Sequence, residues 1–179
     1  MLIAVVGFSG AGKTTALMHL QERGIGQIVY VGAYVHAEVE ARGLALTPEN
    51  ERLVREALRN EQGPDALAKK AVADLKTKTY SGAILLDAIC VKEEGDFYRK
   101  VFGSNVIILS IEASFEIRAG RLAAREDRPL TADQLKVRDR FEREKLRLEE
   151  VQAAADSRVT NEGSVELFKR TLDDLAAQW

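Results

Sequence analysis

Gly7-Phe8-Ser9-Gly10-Ala11-Gly12-Lys13-Thr14 reads G-x-x-x-x-G-K-T directly after the apolar run Leu2-Ile3-Ala4-Val5-Val6. This spacing suits the binding of a nucleoside triphosphate. The glycines let backbone N–H groups close around phosphate oxygens, so Gly7, Ser9, Gly10, Ala11 and Gly12 are expected to form the cradle. Lys13 brings a cation to the outer phosphates, the Thr14 hydroxyl can reach Mg²⁺, and Thr15 follows in the first turn of a helix whose positive dipole end faces the ligand.

A bound triphosphate can serve a switch, a motor or a kinase, and other residues decide among these. The chain has no Asn-Lys-x-Asp segment of the kind that reads guanine, so ATP with Mg²⁺ is the expected pair. The apolar run Ala83-Ile84-Leu85-Leu86 ends in Asp87, a carboxylate able to hold Mg²⁺ through water alongside Thr14 or, alternatively, to cap the following turn. Ala88 follows where a hydrolytic motor usually places a glutamate that activates water. Transfer to a second bound molecule needs alignment and positive charge instead, which Arg121 and Arg125, one helical turn apart, can supply. Lys13, Asp87, Arg121 and Arg125 are therefore the expected catalytic set, with Arg128 nearby. Arginines late in a helix also complement its dipole, so a structural role competes for each. His19 and His36 lack a ligand cluster and read as packing or surface residues. The competing reading is a nucleotide-binding switch that kept the triphosphate site and lost its acceptor arm.

Elements must hold these groups together. Strands are expected near 2–6, 27–31, 83–87, 105–111 and 157–160, alternating with helical stretches, which implies a parallel sheet in a three-layer α/β/α domain spanning 1–179. Thr47-Pro48-Glu49 and Gly63-Pro64-Asp65 mark helix starts by proline, and Thr131-Ala132-Asp133-Gln134 is a capping box. About fifty residues between strands two and three exceed what one crossover needs and predict a helical insertion at about 33–80. A charged segment, about 125–132, follows a helix at 114–124 and precedes one long helix over 131–155. Its mixed charges favour i,i+4 pairing on a solvated face rather than a nucleic-acid site. The net charge of −2 gives no global pull toward nucleic acid or anionic membranes. A single cysteine, Cys90, excludes an internal disulfide and points to a reducing cytoplasm, with a small molecule as partner.

With these motifs in place, the chain resembles the nucleoside-monophosphate-kinase-like branch of P-loop proteins, which includes adenylate kinases and dephospho-coenzyme-A kinases. It is most similar to a small uncharacterised family of that branch through Gly7–Thr14, Leu46–Asn50, Gly63–Lys70 and Ala155-Asp156 leading to Val159–Ser164. The resemblance implies a five-stranded parallel core, an acceptor-binding helical insertion after strand two and a short arginine-bearing lid after strand four. It puts Arg121 and Arg125 at the start of the lid, Arg138-Asp139 on its far side, and Asn161 to Gly163 beside the adenine. Two departures concern the acceptor. Relatives often show Gly-Asp-x-x-Arg where this chain has Gly32-Ala33-Tyr34-Val35-His36, and Asp-Gly-x-Arg where it has Asp87-Ala88-Ile89-Cys90. Lys69 and Lys70 are the substitutes the sequence offers for the two missing arginines.

Overall fold

Five short strands carry the core: β1 (Leu2–Val6), β2 (Gly26–Tyr30), β3 (Ala83–Asp87), β4 (Val106–Glu112) and β5 (Ser157–Thr160). In the computed structural model, which describes residues 1–179, all four pairings are parallel and the order is β2-β3-β1-β4-β5. β1 is central and wholly buried, which is why its sequence is apolar without interruption. Its two faces feed two cores. Leu2, Ala4 and Val6 pack with the helices that follow β2 and β3, whereas Ile3 and Val5 meet Leu17 and Leu20 on one side and Phe168 and Leu172 on the other.

The helices are α1 (Lys13–Glu22), α2 (Gly32–Ala41), α3 (Pro48–Gln62), α4 (Ala66–Leu75), α5 (Lys92–Phe102), α6 (Phe115–Ala123), α7 (Ala132–Glu144), α8 (Leu148–Ala153) and α9 (Val165–Ala176). α1 and α9 cover one face of the sheet; α2 to α5 and α8 cover the other. Thr47 caps α3 by accepting the Asn50 N–H at 3.2 Å, with Pro48 in the first turn. Thr131 and Gln134 form the reciprocal box that starts α7. Pro64 differs from expectation: α4 starts at Ala66, with Asp65 in the cap position and Pro64 in the preceding turn.

The expected single helix over 131–155 is two. α7 ends at Glu144, Arg147 adopts a left-handed backbone with φ of 51°, and α8 begins at Leu148. Packing explains the break. Leu135 and Leu148 are both buried, but 13 residues of straight helix would rotate them about 220° apart, onto nearly opposite faces. The turn lets Leu148 and Val151 reach the core beside β1.

The chain reverses its direction of sheet growth at β1, with β3 on one side and β4 on the other. In open α/β sheets the crevice at such a reversal, beyond the carboxyl ends of the strands, is where ligands bind. The segment after β1 is Gly7–Gly12, which places the phosphate motif at that crevice.

Candidate functional site

The loop between β1 and α1 depends on its glycines for close approach. A Cβ on Gly7, whose φ is 153°, would collide with the Ile111 carbonyl, and one on Gly12, at φ 108°, would collide with the Asn161 amide. Lys13 reaches back over this loop and donates to the Gly7 carbonyl at 2.6 Å and the Phe8 carbonyl at 3.2 Å. Burial lowers the Lys13 pKa, opposed by the nearby charges of Glu142, Cys90 and Asp87. Burial also pushes the Asp87 carboxyl above its ordinary range, with Lys13 pulling it back. The two groups are therefore close enough to sense each other in a weakly solvated place.

Gly10, Gly12, Lys13, Thr14 and Thr15 line a cavity of about 260 Å³ with Arg121 and Arg125. The last turn of α6 thus overlooks the start of α1, and three cationic side chains converge on the first helical N–H groups, an arrangement suited to polyanions. Arg125 is exposed. Arg121 donates to Asn161 Oδ1 at 3.2 Å, and its Nη1 atom is buried without a partner.

Asp87 stands at the end of the neighbouring strand, outside this cavity but within electrostatic reach of Lys13. Thr14 and Asp87 offer hard oxygen donors, and no cluster of three or more His, Cys, Asp or Glu side chains is arranged as a metal cage. That set fits Mg²⁺, which keeps several waters and takes its other ligands from substrate phosphates.

Asn161 is placed differently from what its sequence position suggests. It is buried, and its side chain donates to the Ala11 carbonyl at 2.8 Å while accepting from Arg121. The amide is spent on bracing the phosphate loop, so only the exposed backbone around Gly163 is free to border a base. Ser9 is drawn toward α7, its hydroxyl donating to Glu142 Oε1 at 3.3 Å.

Three arginines escaped the sequence reading. Arg118, buried in α6, grips Asp139 with both terminal nitrogens and donates to the Ser9 carbonyl at 3.2 Å. Asp139 is therefore the partner of Arg118, while Arg138 pairs with Glu142 at 3.0 Å. Arg55 and Arg59 lie on α3, four residues apart. Arg59 meets Glu94 at 3.0 Å, and Glu94 in turn accepts the Cys90 N–H at 2.8 Å. Positive charge thus stands near Cys90 although β3 itself carries no arginine there. Lys69 and Lys70 are not placed for that role. Lys69 pairs with Asp65 and Lys70 with Glu38, on the half-exposed side of the insertion. An i,i+4 pair of arginines beside the apolar stripe of α3 was the available signal, and ordinary solvated helices show the same spacing.

His36 lies 3.7 Å from Glu51 and packs edge-on against the Tyr30 ring, whereas His19 pairs with Asp173 at 2.9 Å between α1 and α9.

Residues 3–152 match the family described as an AAA domain. A UPF0200 protein of Thermococcus onnurineus is 31% identical over 98% of this chain and 96% of its own length. The chain belongs to the UPF0200 family. A UPF0200/UPF0201 protein of Archaeoglobus fulgidus is 35% identical over 93% of this chain, which spans about half, 52%, of that longer protein. Among solved structures, a shikimate kinase from Bacteroides thetaiotaomicron superposes with a TM-score of 0.61 at 14% identity, covering 99% of this chain and 98% of that one. The fold of this UPF0200 protein is therefore the P-loop kinase fold.

Proposed function

We propose that the chain is a kinase that transfers the γ-phosphate of ATP, bound with Mg²⁺, to a small-molecule acceptor. The observation that carries this reading is the cavity in which Lys13, Thr14 and Thr15 face Arg121 and Arg125. In this reading Gly7 to Gly12 cradle the phosphates by backbone N–H groups, and Lys13 exchanges its loop carbonyls for the outer phosphates. Arg121 and Arg125 offset the charge that spreads over the transferring group. Thr14 and Asp87 would hold Mg²⁺, which when bound neutralises phosphate charge and orients the chain of phosphates. Asp87 is also the carboxylate able to take a proton from the acceptor hydroxyl. The arms of this unit are the insertion, about 33–80, and the lid, about 125–132.

The presence of Arg55 and Arg59 on α3 favours an acceptor site over a bare nucleotide switch. No helix is long and apolar enough to cross a membrane, and we place the reaction in the cytoplasm. The test is ADP release from Mg·ATP with candidate acceptors, against acceptor-free hydrolysis as control. Acceptor-dependent turnover lost in Asp87→Ala supports the assignment, and equal rates with and without every acceptor contradict it.

A further inference from the structure

Beyond the phosphate loop, α3 packs beside α2 and α4 and carries Glu51, Arg55 and Arg59 at one-turn intervals. The flanking two are fixed by their contacts. Glu51 accepts from Arg128 of the lid at 3.3 Å and stands 3.7 Å from His36. Arg59 is held by Glu94 at 3.0 Å. Arg55 lies between them on the same helix face, near enough to Tyr30 and Cys90 to influence both ionisations, and no carboxylate pairs with it. Two buried nitrogens of this cleft, Arg59 Nε and His36 Nε2, lack hydrogen-bond partners. Arg59 Nε is always a donor, and an orphaned buried donor is costly, so this guanidinium is short of an acceptor atom.

The charges can be balanced directly. Arg128 is matched by Glu51, Arg59 by Glu94, and Lys13 and Asp87 oppose each other, which leaves the single positive charge of Arg55. A phosphate monoester, with a charge of about −1.5 to −2 near neutral pH, would exceed that balance and sit close to two carboxylates. A carboxylate carries one charge and matches the planar fork of a guanidinium. Resting on the kinase reading above, we infer that the acceptor is a small hydroxy-carboxylate whose carboxylate seats on Arg55 and Arg59 and whose hydroxyl faces Asp87. In the reaction the hydroxyl oxygen forms a bond to the γ-phosphorus as the bond from that phosphorus to the β–γ bridging oxygen breaks. The bridging oxygen keeps the electron pair and leaves on ADP, and the hydroxyl proton passes to Asp87 and then to water.

The experiment uses the full chain. Calorimetry first establishes Mg·ATP binding; its absence would overturn the kinase reading and this inference with it. ADP release is then measured with glycerate, gluconate and shikimate, with the polyols glucose and glycerol, and with the monoesters AMP and CMP. At least one hydroxy-carboxylate should exceed both other groups in kcat/KM by about tenfold or more, the scale of one specific charged contact. For that compound Arg55→Gln should raise KM by about tenfold while kcat changes little, and Arg55→Lys should recover only part of it. Arg52→Gln, on the outer face where Arg52 pairs with Glu56, should leave KM unaltered. Circular dichroism confirms that each variant is folded. Preference for a monoester or a polyol, silence of all three hydroxy-carboxylates, or an unchanged KM in folded Arg55→Gln would overturn the inference while leaving ATP-dependent transfer intact.

Discussion

Arg118 and Asp139 form a two-pronged ion pair under the phosphate loop, with N···O distances of 3.0 and 2.6 Å and both side chains almost closed to solvent. The pair ties α6 to α7, and its remaining hydrogen bonds reach the Ser9 and Ala113 carbonyls. Phe8 and Phe115 lie 5.1 and 5.7 Å from the guanidinium, so both rings shield it. Replacing Arg118 by Met leaves a buried carboxylate unpaired and should cost about 3–5 kcal/mol. Removing both partners in Arg118→Met with Asp139→Leu should cost much less than the sum of the single changes. Urea unfolding of the four proteins measures this; additive losses would mean that the two charges do not depend on each other.

Lys13→Ala should weaken Mg·ATP binding by at least about 1.5–3 kcal/mol, the scale of a charge-assisted hydrogen bond. The side chain bonds only to loop carbonyls, so the thermal transition should persist. Calorimetry at fixed Mg²⁺ provides the check, and unchanged affinity would remove Lys13 from the nucleotide site.

Base choice should favour ATP over GTP, since no guanine-reading segment is present and the exposed backbone near Gly163 offers only main-chain contacts. The margin should be modest because Asn161 is already committed to Ala11. Displacement of a fluorescent ATP analogue tests this. More effective displacement by GTP than by ATP would reverse the assignment.

Asp87 gives a pH-dependent prediction. Burial raises its folded pKa above the unfolded value, so the native state binds the proton more tightly and the charged carboxylate weakens the fold once pH exceeds both values. Asp87→Asn should therefore raise Tm at neutral pH, with the gain shrinking as pH falls through the raised pKa and then the unfolded one, while transfer is lost. Melting curves from pH 3 to pH 8, about the span over which a raised carboxyl titrates, should show this trend. A constant difference at every pH would contradict the sign.

Cys90→Arg adds a guanidinium after β3, yet this protein already has Arg55 and Arg59 close to Cys90. A third guanidinium there should lower Tm and give little AMP affinity, through like-charge repulsion and loss of room beside Arg59. Tight AMP binding by a stable Cys90→Arg protein would show that the cleft has space for both.

The sheet was legible because its signals are local. Leu2–Val6 and Ala83–Asp87 are short apolar runs bounded by turn-forming or polar residues, and Gly7–Thr14 carries its chemistry in its own spacing. The α7–α8 break was not, because what forces it is the need of Leu148 to reach a core built by distant segments. The same holds for charged residues. Nothing nearby in sequence distinguishes Arg118, which meets Asp139, from Arg138, which meets Glu142, and only the fold decides which arginine is buried. Asn161 follows β5 beside the loop that holds Gly7–Thr14, and its amide turns inward to donate to the Ala11 carbonyl, a partner 150 residues away that no local pattern reveals.

That contact also orders events in time. Ala11 belongs to the loop after β1 and Asn161 follows β5, 150 positions further along the chain. The loop after β1 and the side chain that braces it are thus brought together only by the folded sheet. During synthesis from the N-terminus the loop must wait for β5 to dock before Asn161 and Arg121 can prop it. A chain in which β5 has not docked would leave the loop after β1 without the Asn161 brace.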